Sequence, residues 1–382
     1  MTLDVLPAIS RVPAADWDAL VPADDPFSTH AFLDAMEQSG SAVGETGWTP
    51  CHLALREQGR LVAAMPLYAK PHSYGEYIFD WGWADAAQRS GLSWYPKLVT
   101  AVPFTPATGG RLLLGGPAVS GDPRIVALAT GARQILKQIR GSSWHVLFCG
   151  EAERAALTDL GLIPRLTHQF HWENQGYESF DHWLSFFRHK ERKQAKKERS
   201  LPPGVTVREA PGTELTDGQL KTIYSFYQDT VDRKGGYDYL SEAFFLGLNR
   251  GPVAGLVRVF LAEQAGEVVS ASLCFQRGRG LYGRYWGCRP GHQGLHFELC
   301  YHAPIARCIA EGWSRFEAGA QGIHKLKRGL MPSPIWSAHE VVHPGLRRAI
   351  ADACVREAAH TERQIAALAE HGPFKAESDP PG

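Results

Sequence analysis

"VRVFLAEQAGEVVSASLCFQ", residues 257–276, reads as two apolar, alternating runs joined by Ala265-Gly266. Runs of this length around a small residue and a glycine predict a β-hairpin. The same form stands much earlier in the chain as "CHLALREQGRLVAAMPLYAK", residues 51–70, with its turn at Gln58-Gly59. Each hairpin follows an apolar helical stretch ending in glycine, "AFLDAMEQSG" (31–40) and "AFFLGLNRG" (243–251). Each precedes an aromatic stretch read as a strand, "SYGEYIFDWGW" (73–83) and "LYGRYWGC" (281–288). The turn glycine lies 16 residues before Gly75 in the first copy and 17 before Gly283 in the second. These matches, in one order, point to an internal duplication.

Each copy is expected to continue through a glycine-bearing turn, an amphipathic helix and a further strand. In copy two the helix is "LHFELCYHAPIARCIAEG", with Leu295, Leu299, His302, Ile305 and Ile309 at helical spacing. Pro304 should break or kink it, Gly312 should end it, and "WSRFEAG" is the following strand. In copy one "YPKLVTAV" is the vaguer counterpart of that helix, and "TPATGGRLLLGGPAV" is loop-rich. "PRIVALATGARQILKQIRG" then reads as a helix and "WHVLFCG" as a buried strand. The expected fold class is α+β: two tandem domains of mixed sheet flanked by helices, residues 1–165 and 166–370, the second including a basic helix at 181–200. Residues 371–382 read as a disordered tail.

Composition narrows the function classes. The 382 residues carry 40 Lys/Arg against 40 Asp/Glu, so affinity for a polyanion must come from a local patch. With 44% hydrophobic residues the chain is that of a globular protein. Its beginning has neither a basic nor an apolar leader region, and no run approaches the roughly 18 apolar residues of a membrane span. The seven cysteines are scattered and never form a CxxC pair, which fits reduced thiols in the cytoplasm. The sixteen histidines show no HExxH and no zinc-type spacing, so no metal is expected. No serine sits in a nucleophile elbow.

"RFEAGAQGIHKLKRG", residues 315–329, sets Gly319, Gly322 and Gly329 around His324, Lys325, Lys327 and Arg328. It lacks the spacing of a P-loop. In an extended stretch Lys325 and Lys327 share a face, with Arg328 opposite. "RHKERKQAKKER", residues 188–199, packs seven Lys/Arg against two Glu. It is read as continuing a helix that starts apolar at Phe180, Trp183, Leu184 and Phe187, with Asp181 near its N-cap. Arg188, Arg192, Lys196 and Arg199 then share a face. With Lys193 and Lys197 they form either a solvated helix end or a patch that tracks the phosphates of tRNA or another polyanion.

The stretches "FHWENQGYESFDHWLSFFRHKERKQAKKER", "LYGRYWGC", "LHFELCYHAPI" and "FEAGAQGIHKLKRGLMP…SAH" together resemble the FemAB-like family, within the wider GNAT-fold acyltransferases. The resemblance implies two tandem GNAT-like domains and an acyl or aminoacyl transfer reaction. Members often carry a Phe-Lys-Arg-Gly-Phe-like segment. Here it is "LKRGL", with Leu326 and Leu330 in place of the aromatics, and Ile323 stands where relatives tend to have Glu.

On that footing the expected reaction forms an amide on an amine-bearing small molecule or peptide, from aminoacyl-tRNA or acyl-CoA as co-substrate and with no bound cofactor. "RPGHQGLHFE" is only a loose substitute for the pyrophosphate loop of acyl-CoA enzymes. Glu298 and Glu317 are candidates for general base, and His296 and His324 for proton transfer. The ordinary alternatives are a paired structural carboxylate and a hydrogen-bonded histidine. Arg284, Tyr285, Trp286, Gln321, Lys325, Lys327 and Arg328 are expected to contact substrate, with Tyr282 and Tyr301 in the cleft wall or the core. The rival reading is a non-catalytic protein that recognises a cell-wall precursor or nucleotide-sugar phosphate.

Overall fold

The computed structural model describes residues 1–233, 235–320 and 322–375. Gln321 and the tail from residue 376 onward lie outside the described residues. The chain divides into two compact units. The first is Met1–His168 with Pro334–Arg363, and the second is Gln169–Ser333 with the chain from Gln364 onward. A late segment, Pro334–Arg363, thus belongs to the first unit.

Both hairpins form. The first pairs His52–Glu57 with Arg60–Met65, and the second pairs Val257–Gln264 with Glu267–Arg277. Their turns match: φ is 49° and 82° at Gln58-Gly59, and 51° and 81° at Ala265-Gly266. Two successive positive φ values make a type I′ turn, whose twist suits the flanking strands and whose second position favours glycine. Each returning strand also bulges at the same place. Val62 and Val269, each three residues past the turn glycine, are left without a register partner. A shared turn type could be coincidence, but a shared bulge position fits descent from one unit.

The next stretch corrects the sequence reading. "SYGEYIFDWGW" forms no strand, and its end opens the helix Trp81–Arg89. "YPKLVTAV" is not a helix either; it contains the strand Lys97–Thr100. That strand runs parallel to Ser143–Cys149, reached through the helix Pro123–Gln138. In the second unit Gly280–Cys288 runs parallel to Arg315–Glu317, reached through Ala303–Glu311. The repeat is therefore hairpin, strand, helix, parallel strand, with residues 71–96 inserted in the first copy.

The insertion folds back because of its charges. Lys97 Nζ donates to Ser73 Oγ at 2.7 Å, Glu76 Oε2 at 2.8 Å and Asp80 Oδ2 at 2.6 Å. A strand would hold Ser73 on the face opposite Glu76 and Asp80, spread along its length, and could not bring all three to one ammonium.

In the second unit the strands run in the order Val205–Pro211, Val257–Gln264, Glu267–Arg277, Gly280–Cys288 and Arg315–Glu317, and the last pairs with His171–Glu173. The helix Asp217–Arg233 lies against this sheet so closely that a Cβ at Gly287 would meet Phe226 Cβ at 2.5 Å and its carbonyl oxygen at 2.6 Å. Gly287→Ala is expected to lower stability by about 1–3 kcal/mol through overpacking. An unchanged denaturation midpoint would show that the helix gives way freely.

Pro304 breaks the following helix as expected, which begins as a π-turn over Glu298–His302 before continuing as Ala303–Glu311. The basic segment is two helices, Phe180–Ser185 and His189–Glu198, rather than one. Ser179, not Asp181, caps the first, accepting from His182 N at 3.0 Å. Arg188 is non-helical between them, its N–H donating to Pro373 O at 2.9 Å, which lets Phe187 enter the core beside Phe374. Residues 371–375 are thereby tied to the second unit and are not a free tail.

Candidate active site

The site builds on the parallel strand pair of the second unit. Gly280–Cys288 and Arg315–Glu317 are in register over three residues, ending at Tyr282↔Glu317. Beyond that point Arg284, Tyr285 and Trp286 continue along a strand that no longer pairs with its parallel neighbour. An opening between parallel strands where pairing stops, beside a helix N-terminus, is where this kind of sheet accepts ligands.

Four aromatic and imidazole rings gather there. The Trp286 ring lies 4.7 Å from His296, and His296 lies 5.6 Å from Tyr301 and 6.0 Å from His324, centroid to centroid. Tyr301 Oη and His324 Nε2 are hydrogen-bonded at 2.8 Å. Burial pushes the Tyr301 hydroxyl well up from the usual tyrosine range, so it stays protonated. Burial, with Arg328 and Lys325 nearby, holds His324 below the usual histidine range, so its ring is neutral at pH 7. A protonated phenol thus faces a neutral imidazole. Sequence reasoning placed Tyr301 only in the wall or core, because its partner lies 23 residues along.

The glycine- and cation-rich segment 315–329 is not extended at its cations. Ile323–Arg328 is a 3₁₀ turn, entered at Gly322 and left at Gly329, whose φ is 75°. Three residues per turn put Lys325 and Arg328 on one inward face and leave Lys327 outside. Lys325 Nζ donates to Gly319 O, and burial lowers its pKa to about 8. Arg328 donates to Glu198 Oε1 at 2.5 Å, Glu198 Oε2 at 3.1 Å and His324 O at 2.7 Å, and its guanidinium stands 3.5 Å over the Phe297 ring. Glu198 also takes His302 Nε2 at 2.8 Å. Two of the three cations in this segment are thus committed to the protein itself, and Lys327 alone of them is exposed.

The two candidate carboxylates part company. Glu317 is buried at the strand end, 3.3 Å from Arg315 Nε and 3.7 Å from His171 Nε2. Glu298, on the π-turn, meets Arg199 Nε at 3.4 Å; burial outweighs that cation and raises its pKa to about 7. Arg199 also covers the Phe180 ring at 4.2 Å, so it packs inward rather than extending the basic face. His189, Arg192, Lys193 and Lys196 line a separate depression of about 410 Å³ with Asp181. Lys197 is exposed on the same helix. Arg284 donates to the Tyr285 hydroxyl at 3.3 Å, and Tyr285 packs on Tyr227 and Phe245.

The first unit closes the corresponding place with its own chain. Lys97–Thr100 and Ser143–Cys149 stop pairing at Thr100↔Val146. Just beyond, Arg111 Nε donates to Leu147 O at 2.7 Å and Gly109 N donates to Phe148 O at 3.2 Å. Glu153 Oε1 accepts from Arg111 N at 2.7 Å and Leu112 N at 2.6 Å, fixing this loop. Arg111 is 1% exposed, so nothing of it reaches solvent to bind a ligand.

The family model described as peptidoglycan biosynthesis/recognition, FemAB-like, matches residues 8–376. The chain belongs to the FemAB-like family. Its fold is of mixed α and β class, with strands and helices in each of its two units. Among solved structures it is similar to FemX, at 12% identity over 89% of this chain and 98% of that one, with a TM-score of 0.56. A conserved protein of unknown function from Bacteroides thetaiotaomicron matches over 90% and 100% at 10% identity and TM-score 0.51. A tandem GNAT protein from the clavulanic acid biosynthesis pathway matches over 90% and 99% at 14% identity and TM-score 0.48. At such identities the likeness is one of fold. No curated protein matches the chain. No described helix of this FemAB-like protein is long and apolar enough to cross a membrane.

Proposed function

We propose that this FemAB-like protein transfers an acyl or aminoacyl group to a primary amine, at the opening in its second unit. The observation that carries the reading is the Tyr301–His324 pair, a proton donor and a proton acceptor 2.8 Å apart beside the point where the parallel strands stop pairing. A neutral amine attacks the activated carbonyl, a C–N bond forms, and the C–O bond of an ester or C–S bond of a thioester breaks. Tyr301 Oη takes the proton the amine loses as its own proton passes along the 2.8 Å hydrogen bond to His324 Nε2. Tyr301 then gives a proton to the departing oxygen or sulfur, and His324 Nε2 returns one to the phenolate oxygen, which restores both groups.

Aminoacyl-tRNA is the donor we favour over acyl-CoA. The depression formed by His189, Arg192, Lys193 and Lys196 suits successive backbone phosphates. The family's tie to peptidoglycan suggests an amine of a cell-wall precursor peptide as acceptor. The test incubates the protein with charged tRNA or acetyl-CoA and a panel of such amines, with amide product read by mass. Tyr301→Phe is expected to lower kcat by about 100-fold with little change in KM. Binding of a precursor without turnover from either donor would leave recognition as the function. Full activity in Tyr301→Phe would remove the proton pair from the mechanism.

A further inference from the structure

Beside the proton pair, the second unit holds a cavity of about 1040 Å³ that the transfer chemistry does not use. Its apolar lining is Ala195, Phe297, Ile323, Leu326, Ala367 and Leu368, with Gln194, Gln364 and His371 among its polar residues. Ile323 is 68% exposed, an unusual state for a large aliphatic side chain at the mouth of a cavity. The inner wall includes Arg328 and Glu198, which neutralise each other at 2.5 Å. At the rim Arg188 stands 3.9 Å from Glu191. Lys190 and Lys327 also line the cavity, and neither forms an ion pair among the described residues. The cavity is therefore mostly apolar and, among the described residues, carries two cations without an ion pair at its edge. His324 belongs both to this cavity and to the proton pair.

We propose that this cavity binds the hydrocarbon chain of an anionic amphiphile. The chain lies along Phe297, Leu326 and Leu368, and the anionic head sits between Lys190 and Lys327. Apolar walls with a few placed polar groups are the usual makeup of a small-molecule site, and the volume is ample for a long alkyl chain. Two unpaired lysines at the mouth favour a phosphate or carboxylate head over a cationic one. His324 sets the bound amphiphile beside the proton pair, a consequence that rests on the transfer reading above, whereas the binding itself does not.

Calorimetric titration of the full chain with dodecyl phosphate, below its micelle concentration, tests the binding. One equivalent should bind, with a negative heat-capacity change from buried apolar surface. Inorganic phosphate and dodecyltrimethylammonium should each bind at least about tenfold more weakly, the worth of one good contact. Ala367 is exposed on its helix, so Ala367→Trp can fill the cavity without disturbing the core, and should weaken dodecyl phosphate about tenfold or more. Lys190→Glu with Lys327→Glu should weaken dodecyl phosphate but not dodecyltrimethylammonium. Thermal melts check that each variant is folded. Equal affinity for inorganic phosphate, or unchanged dodecyl phosphate affinity in folded Ala367→Trp, would overturn the site. Binding that Ala367→Trp abolishes, in a protein with no transfer activity, would sink the transfer reading and leave this site standing.

Discussion

Replacing Lys97 by Met should cost about 3–5 kcal/mol of folding stability, because it strands carboxylates that water cannot reach. Lys97, Glu76 and Asp80 are all buried, and the ammonium sits within 2.8 Å of both acids. Burial alone would drive Lys97 towards neutrality, yet Glu76 and Asp80 outweigh it and hold its pKa above the usual lysine range. Asp80 is also buried, and Lys97 with His145 keeps it well below the usual carboxylate range, while Trp94 Nε1 donates to it at 2.8 Å. Glu76 is the least satisfied member, raised to about 7 by burial despite Lys97. Lys70, lowered to about 7 by burial, stands 4.0 Å away over the Trp48 ring and cannot replace the lost contact. The melting temperature should fall by on the order of 10 °C. Adding Glu76→Gln and Asp80→Asn to the same variant should recover part of the loss, since the penalty comes from unpaired charge. A single variant that melts like the parent would show that the cluster adds nothing to folding.

Glu198→Gln should cost a similar amount, about 3–5 kcal/mol, and should also impair the reaction site. The carboxylate holds Arg328 through two bonds and His302 through a third. Without its charge, a buried guanidinium faces no counterion. Arg328 in turn bonds the His324 carbonyl and roofs Phe297, so its displacement moves one half of the proton pair. Gln194→Ala removes only an exposed 2.9 Å hydrogen bond to Glu198 Oε1 and should cost less than Glu198→Gln. The acid limb gives an independent measurement. Burial raises the Glu198 pKa, but His302, Gln194 and Arg328 outweigh it and bring it down to about 2 from the usual 4.5. A lowered folded-state pKa means a contribution that is complete above about pH 4.5 and is lost as pH falls through about 2. Glu198→Gln should flatten that part of the stability–pH curve. If the variant and the parent lose stability in parallel between pH 4.5 and 2, the ion cluster is not what the acid attacks.

The hairpins were legible because everything they need is local: two alternating runs and a turn that tolerates positive φ. The helix break at Pro304 was legible for the same reason. The aromatic stretch 73–83 misled because tyrosine and tryptophan favour strands, while the group that decides its path, Lys97, lies beyond the helix Trp81–Arg89. In "KLKRG" the alternation of cations with apolar residues left an extended chain and a surface turn both open. The outcome depended instead on Glu198, 130 residues earlier, which draws Arg328 inward. Candidate site residues His296, His324, Trp286 and Phe297's neighbour Arg328 do come together, whereas Glu298 turns to Arg199. Residue types told which groups can do acid–base work. They could not tell which of them meet, since burial and pairing are properties of the folded chain.

The loop around Arg111 carries a consequence for counting. Duplication of a fold suggests duplicated sites and the interplay that two equivalent sites allow. Here one copy spends its crevice on its own backbone, through Leu147 O, Phe148 O and Glu153. Occupancy by a covalently attached segment does not depend on concentration, so no soluble ligand competes with it on equal terms. Under the proposed transfer reading, one polypeptide should then respond hyperbolically, with a single reaction site and the first unit as scaffold.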